Sequence, residues 1–483
     1  MQIKMIKNER LSLIGLSLSE LLFIILACFS CSFLPDYVSL MFIVFMCAAI
    51  SMFNVDNLTK KYIAAVTAFF PILISAVQNL YLGLLSPFLS EFEVQSAVMV
   101  PFLYACFCIL FYFVKFRKIN SCSSIIVKLL FVILIYSFLL LLIYSSSFVS
   151  FIAGVRNLIS PICFVLLGML VGRFLKINDL FFLVLILGTA VCLFGIYELF
   201  INPNMWVNLN IGDLWAKKGI AVSSWGLPLN FVSSEFIFGQ QMRRMSSSFA
   251  DPVNLGAFLF AYFVICWYQK KCILGSLAFV SIVLTISKGA LLGLLIFIFV
   301  KSFISNNRTN FIIAFVFCVL FGIAFIGYSF EKSSGSLMAH FSGFTSGLNS
   351  LFVYPFGLGV GNIGVISGLF DSSANASIVE SGFGTIVGCL GWIGLCSYII
   401  YYCSLTRFGF SYIHLKRDKV VFLSFVFTML LNIMFNEVAL SPNSCGVYFI
   451  VAGCYLGHYM NGAVFYKERY KKTNMVQFVR RHL

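Results

Sequence analysis

Residues Leu11 to Leu34 read LSLIGLSLSELLFIILACFSCSFL and follow Lys4, Lys7 and Arg10. A helix rises about 1.5 Å per residue, so about 20 such residues cross the hydrocarbon of a bilayer. A secretory signal core is shorter, about 7–15 residues, so this run predicts an uncleaved first span. Ile25-Leu26-Ala27-Cys28 loosely resembles a lipoprotein cleavage site, and inside so long a run it reads as a chance match.

The same pattern continues along the chain. Apolar runs lie at about 11–33, 37–55, 62–85, 96–115, 125–146, 149–172, 180–199, 252–269, 272–287, 289–305, 309–328, 382–404, 420–440 and 445–464. The expected fold class is all-α: a polytopic integral membrane protein with about 14 transmembrane helices. One transmembrane domain then covers 1–483, with two long periplasmic loops at 200–251 and 329–381. Composition points the same way, with 61% hydrophobic residues, 57 Phe and only 10% charged. Soluble domains carry about 25% charge, so lipid must cover most of this surface.

Lys and Arg set the orientation, because cytoplasmic loops retain them. With the N-terminus in the cytoplasm, 25 of the 32 Lys and Arg fall on the inner side. Both termini are then cytoplasmic. The net charge of +15 is mainly a topology signal, so nucleic acid is not an expected partner. The 16 Cys lie mostly within apolar runs, and no Cys or His spacing fits zinc, so no metal or cofactor is expected.

Seven cations break the rule: Arg156, Lys217, Lys218, Arg243, Arg244, Lys288 and Lys332. Arg243 and Arg244 end the first long loop, Lys288 sits at an outer turn, and Arg156 lies about two turns inside its span. A mid-membrane Arg costs about 2.5–3.5 kcal/mol, so it faces water, a partner or a ligand. Gathered at the outer headgroup level, Arg156, Arg243, Arg244 and Lys288 would suit a lipid-linked pyrophosphate. The plainer alternative pairs Arg156 with Glu198 or Glu437 and leaves Arg243-Arg244 to anionic lipid heads. Among the acids, Glu380 stands where a helix begins, as a general base or an N-terminal helix charge. Asp251 precedes Pro252 and reads first as an N-cap. Gly359-Val360-Gly361-Asn362-Ile363-Gly364 matches a dinucleotide fingerprint but has no βαβ context. It remains a tight turn whose N–H groups could approach a phosphate.

These segments together resemble the O-antigen polymerases and ligases. Arg243-Arg244 through Ser248-Phe249-Ala250-Asp251-Pro252-Val253-Asn254-Leu255-Gly256 is similar to the family segment that closes a periplasmic loop and opens a helix. Leu284-Thr285-Ile286-Ser287-Lys288-Gly289-Ala290 resembles its T-x-S-R-[GT]-A element, with Lys for the usual Arg. Pro355-Phe356-Gly357-Leu358-Gly359-Val360-Gly361 resembles its P-x-G-x-G-x-G turn. Glu380-Ser381-Gly382, followed by Gly391 and Gly394, resembles a helix entry. The resemblance covers roughly 150–460.

It implies a metal-independent glycosyltransferase in the bacterial inner membrane. This enzyme would move glycan from undecaprenyl pyrophosphate, with Arg156, Arg243 or Arg244, and Lys288 on the pyrophosphate. Catalytic acids would be Glu380 and Asp251. Implied partners are undecaprenyl-pyrophosphate-linked oligosaccharide, membrane lipids, a chain-length regulator and a flippase. Ligases carry a His near the end of the second loop, where this chain reads Asp371 to Glu380 without one. That favours a polymerase (Wzy) over a ligase acting on lipid A-core. A lipid-linked oligosaccharide flippase is the reading from another class.

Overall fold

The structure, a computed structural model, describes residues 2–60, 62–116, 121–144, 147–219, 222–223, 226–237, 240–305, 307–332, 334–364 and 381–460. The first half of the chain forms α1 (Gln2–Cys31), α2 (Asp36–Asp56), α3 (Ile63–Leu85), α4 (Glu91–Val98), α5 (Val100–Phe116), α6 (Ser121–Ile143), α7 (Phe148–Val171) and α8 (Ile177–Ile196). Then come two short helices, α9 (Met205–Asn208) and α10 (Ile211–Lys217), and a hairpin of β1 (Val232–Ile237) and β2 (Gln240–Arg243). The second half holds α11 (Pro252–Tyr268), α12 (Cys272–Thr285), α13 (Lys288–Ser305), α14 (Arg308–Lys332), α15 (Ser334–Val353), α16 (Gly382–Tyr412), α17 (Lys416–Phe435) and α18 (442–460).

The chain is an all-α, multi-pass membrane protein. Among the described residues nine helices are long and apolar enough to cross a bilayer, or ten with the α4–α5 pair, bent by 46°, as one span. Each apolar run read from hydropathy overlaps a helix. However, α11 has 17 residues and α12 only 14, short of a crossing of about 20. Hydropathy finds apolar segments but not their ends: α12 stops at Ile286, whose φ of 49° is left-handed and cannot continue the helix.

Burial sorts the helices into inner and outer ones. Of the most apolar window, 89% is buried in α3 and 83% in α7, against 33% in α1 and α2 and 28% in α6. Thus α3 and α7, with the equally buried α11 and α18, form the centre, and α1, α2 and α6 show lipid an apolar face.

Glycines set the closest approach at that centre. Gly168 of α7 meets Gly453 of α18, Gly172 just past the end of α7 lies on Cys454, and Gly457 lies on Met169, so glycines at the small-xxx-small spacing let the two backbones touch. A Cβ on Gly168 would stand 2.3 Å from the Ile450 carbonyl oxygen, and one on Gly453 would stand 2.3 Å from that of Val165. Both neighbours are backbone and cannot rotate away.

The described parts of both long connections are folded. The 200–251 connection holds α9, α10 and the β1–β2 hairpin, whose ladder pairs Val232 with Arg243. The 329–381 connection holds α15 and a glycine turn at 355–364. In that turn Gly361 has φ 92° and lies on the α7 backbone, where a Cβ would meet Phe151 N at 2.8 Å. Ser150 Oγ donates to Gly361 O at 2.7 Å. The turn also breaks α16: Trp392 N donates to Pro355 O at 3.0 Å, and Gly391 takes φ 57°, ψ −143° to allow it.

Overpacking a tight contact costs about 1–3 kcal/mol, and more where backbone blocks relief. Gly168→Leu should therefore lower the thermal unfolding midpoint in detergent markedly. Gly15→Leu, at a position where a Cβ meets nothing within 4 Å, should leave it nearly unchanged.

Candidate functional site

The site is built where the first long connection meets the ends of α3, α7 and α11. Asp251 N-caps α11, accepting from Val253 N at 2.9 Å. Asn230 Nδ2 donates to the same oxygen at 3.1 Å, and Asn254 Nδ2 donates to the other. The carboxyl of Asp251 is buried and already holds three donors. Burial pushes its pKa up, while Val253 N–H, Arg244, Asn254 N–H and Lys218 pull it back.

Lys218 follows α10 and reaches inward. Its Nζ donates to Asn79 Oδ1 of α3 at 2.6 Å and lies 5.1 Å from the centre of the Trp215 ring. Asn79 in turn donates to Phe249 O, so α3 ties the lysine to the segment before Asp251. Burial holds the Lys218 ammonium down to about 7, Arg156 presses it lower, and Asp251 pulls it back up. Lys218 therefore lies within electrostatic reach of both Arg156 and Asp251.

Arg156 is half-buried on α7. Its Nε donates to Asn157 Oδ1 at 3.2 Å, and its Nη1 lies 3.6 Å from Met99 Sδ. Among the described residues, neither Arg156 nor Lys218 has a carboxylate within ion-pair distance. Glu198, one of the acids offered for Arg156, serves Arg243 instead. Arg243 Nη2 meets Glu198 Oε1 at 2.9 Å, and Glu198 Oε2 accepts Ser246 N and Ser247 N, each at 3.2 Å. Arg243 also donates to Pro203 O.

The two adjacent arginines therefore part. Side chains alternate across a strand, so neighbours at its end face opposite ways. Arg243 turns to Glu198, while Arg244 donates through Nε to Thr285 O at 2.8 Å and through Nη1 to Asn230 O at 3.2 Å. Arg244 thereby joins the Asp251 group, and Met245 N donates to Leu284 O at 3.0 Å to pin the strand to the end of α12. Lys288 opens α13 just beyond Thr285, at the same turn. Glu380 lies outside the described residues.

Lys218, Asn79 and Asn230 went unassigned in the sequence. Lys218 was visible as a cation on the loop side, but nothing in its spacing distinguishes it from Lys217. Lys217 turns instead to Asp213, at 2.9 Å, and to Ser86 O. The other acid offered for Arg156, Glu437, is buried beside the glycine turn, where a Cβ on Gly364 would meet its Oε1 at 2.6 Å. The far side of that turn borders a cavity of about 270 Å³ with Ser346, Asn349, Ser350 and Tyr354 among its lining. Val360, in the same turn, packs on Gly154, two residues before Arg156.

No protein-family model matches this chain, and no curated protein matches it. What the arrangement can do follows from its charges. Lys218 and Arg244 share one buried carboxylate that is already held by neutral donors, and Arg156 lies within electrostatic reach of Lys218. Such a group can take an anion with several oxygens.

Arg243 and Glu198 form a structural pair, and removing one member of a buried pair costs about 3–5 kcal/mol. Arg243→Ala should lower the unfolding midpoint in detergent, and Glu198→Gln combined with Arg243→Gln should recover part of the loss.

Proposed function

We propose that the chain is an O-antigen polymerase of the Wzy type. It would move a growing glycan from undecaprenyl pyrophosphate onto an undecaprenyl-pyrophosphate-linked repeat unit, at the periplasmic face of the inner membrane. The observation that carries this reading is that Lys218 and Arg244 gather about Asp251, with Arg156 in electrostatic reach of Lys218. Arg156 and Lys218 are drawn out of water with no carboxylate at ion-pair distance among the described residues, which favours an anionic ligand. A guanidinium matches phosphate oxygens in pairs, and an ammonium adds a point charge. The segment that supplies Arg244 and Asp251 is one of those that resemble the polymerase family.

In this reaction a hydroxyl oxygen of the acceptor sugar bonds to the anomeric carbon of the donor. The bond from that carbon to the pyrophosphate oxygen breaks, and undecaprenyl pyrophosphate leaves with the electron pair. The hydroxyl proton passes to a carboxylate. Glu380 is the acid assigned to that step, because the oxygens of Asp251 already hold three donors. Asp251 instead fixes Asn230 and Asn254 and draws Lys218 and Arg244 together. Charge grows on the leaving oxygen, so cations fixed there beforehand lower the barrier. One such contact is worth about 2.7–4 kcal/mol, a factor of about 10²–10³ in rate. Tethering both lipids in one plane makes their encounter local.

The test complements a strain deleted for this gene and resolves its surface glycan on a gel. Arg156→Ala and Arg244→Ala should each leave a single-repeat product while the protein still accumulates in the membrane. Lys at either position should rescue poorly, since the fork is lost. Normal chain lengths in both alanine variants would exclude the pyrophosphate clamp. Accumulated lipid-linked polymer in the deletion strain would mean a ligase, and no surface repeat would mean a flippase.

The charge of Lys218 gives a second measurement. Held to about 7, it is a cation below that pH and neutral above it. Chain growth in proteoliposomes should decline as pH rises through about 7. Lys218→Arg, which stays charged, should flatten the decline.

A further inference from the structure

The cavity on the far side of the glycine turn measures about 270 Å³. At roughly 30 Å³ per water, that is room for about nine waters, or for a sugar ring with its hydroxyls. It lies between α15 and the first two turns of α16. There α15 rests on α16 so closely that a Cβ on Gly347 would meet the Gly384 Cα at 2.6 Å. Leu358 and Ile363, from the turn, complete the wall.

The polar side belongs to α15. Ser346, Asn349 and Ser350, with Tyr354 just past the helix end, recur at helical spacing and share one face. Both serines donate to carbonyls of their own helix, Ser346 Oγ to Gly343 O at 3.2 Å and Ser350 Oγ to Gly347 O at 2.7 Å. Each hydroxyl is thereby left as an acceptor toward the cavity. The Asn349 amide can donate and accept, and Tyr354, 46% exposed, adds a ring and a hydroxyl. A hydrocarbon chain here would leave these groups without partners, which is costly away from water. An anion fits no better, because none of the described lining residues is charged. A sugar satisfies both sides. Its hydroxyls donate to the serines, and its C–H faces pack on Leu358, Ile363 and the Tyr354 ring.

Position ties this cavity to the cationic cluster. Val360, between the two wall residues of the turn, packs on Gly154 of α7, and Arg156 follows two residues later. One turn therefore has the cavity on one side and the helix of Arg156 on the other. A sugar bonded to a pyrophosphate at Arg156 lies on the arginine side, which leaves the cavity to the second substrate. In sequence, Gly384 follows Glu380, the acid assigned to the acceptor's proton, by four residues.

We propose that the cavity is the acceptor-sugar subsite: one ring of the incoming repeat unit seats against Ser346, Asn349, Ser350 and Tyr354, across the glycine turn from Arg156. This rests on the transfer reaction proposed above.

The test reconstitutes full-length protein in liposomes and varies two substrates separately, lipid-linked polymer as donor and a single lipid-linked repeat as acceptor. Asn349→Ala and Tyr354→Ala should each raise the acceptor KM about tenfold, the worth of a lost hydrogen bond or ring contact. Their kcat and donor KM should stay within about twofold of the wild type, as expected when only binding is lost. Tyr354→Phe, which keeps the ring, should raise the acceptor KM less than Tyr354→Ala. An unchanged acceptor KM in both alanine variants, with an active wild type, overturns the subsite alone. A raised donor KM in place of the acceptor's does the same, and so does a fall in kcat together with the unfolding midpoint. A wild type that forms no polymer from these substrates overturns the transfer reading, and the subsite with it.

Discussion

The backbone contact between α7 and α18 is the constraint on which the arrangement rests. Lipid solvates apolar side chains as well as a protein interior does, so helices in a bilayer gain little from burying leucines against one another. They gain from close approach, and glycine permits the closest. Gly168 and Gly172 on one side and Gly453 and Gly457 on the other bring two main chains into contact. That fixes α7, which is buried along most of its length. On α7, Arg156 and the seat of the glycine turn are then fixed together.

A second constraint follows from how sparingly the protein uses charge. Each cation on the loop side is given a distinct environment. Arg243 is closed off by Glu198, whose other oxygen holds two backbone N–H groups and so secures the segment leading to Asp251. Lys217 is turned outward to Asp213 and Lys218 inward to Asn79. Neighbours in sequence thus take opposite roles, in one case by strand alternation and in the other by the rotation between successive helical residues. The amide side chains Asn79, Asn230 and Asn254 orient the group without cancelling its charge, as further carboxylates would.

Much of this was legible in the residues. Apolar runs of about 20 residues against 10% charge leave only a helical membrane protein. Asp251-Pro252 announced the start of α11, and Ser381 before Gly382 the start of α16, where its side chain accepts Gly384 N at 3.1 Å. Arg156 and Arg244 stood out as cations where insertion disfavours them. Arg243 stood out equally, and nothing local to it revealed Glu198, which lies 45 positions earlier in the chain. Lys218 was indistinguishable from Lys217, because the choice between them depends on which face of α10 meets α3.

The sequence by itself determined the class of the molecule, the approximate course of its helices and the set of cations that need explaining. Those depend on the transfer of each residue from water to hydrocarbon, which is additive along the chain. Tertiary structure alone decided which cations share a site, where the short helices α11 and α12 stop, and that a cavity with a polar wall lies across the glycine turn from the helix of Arg156. Those depend on close contact between segments far apart in sequence, and hydropathy carries no record of such contacts.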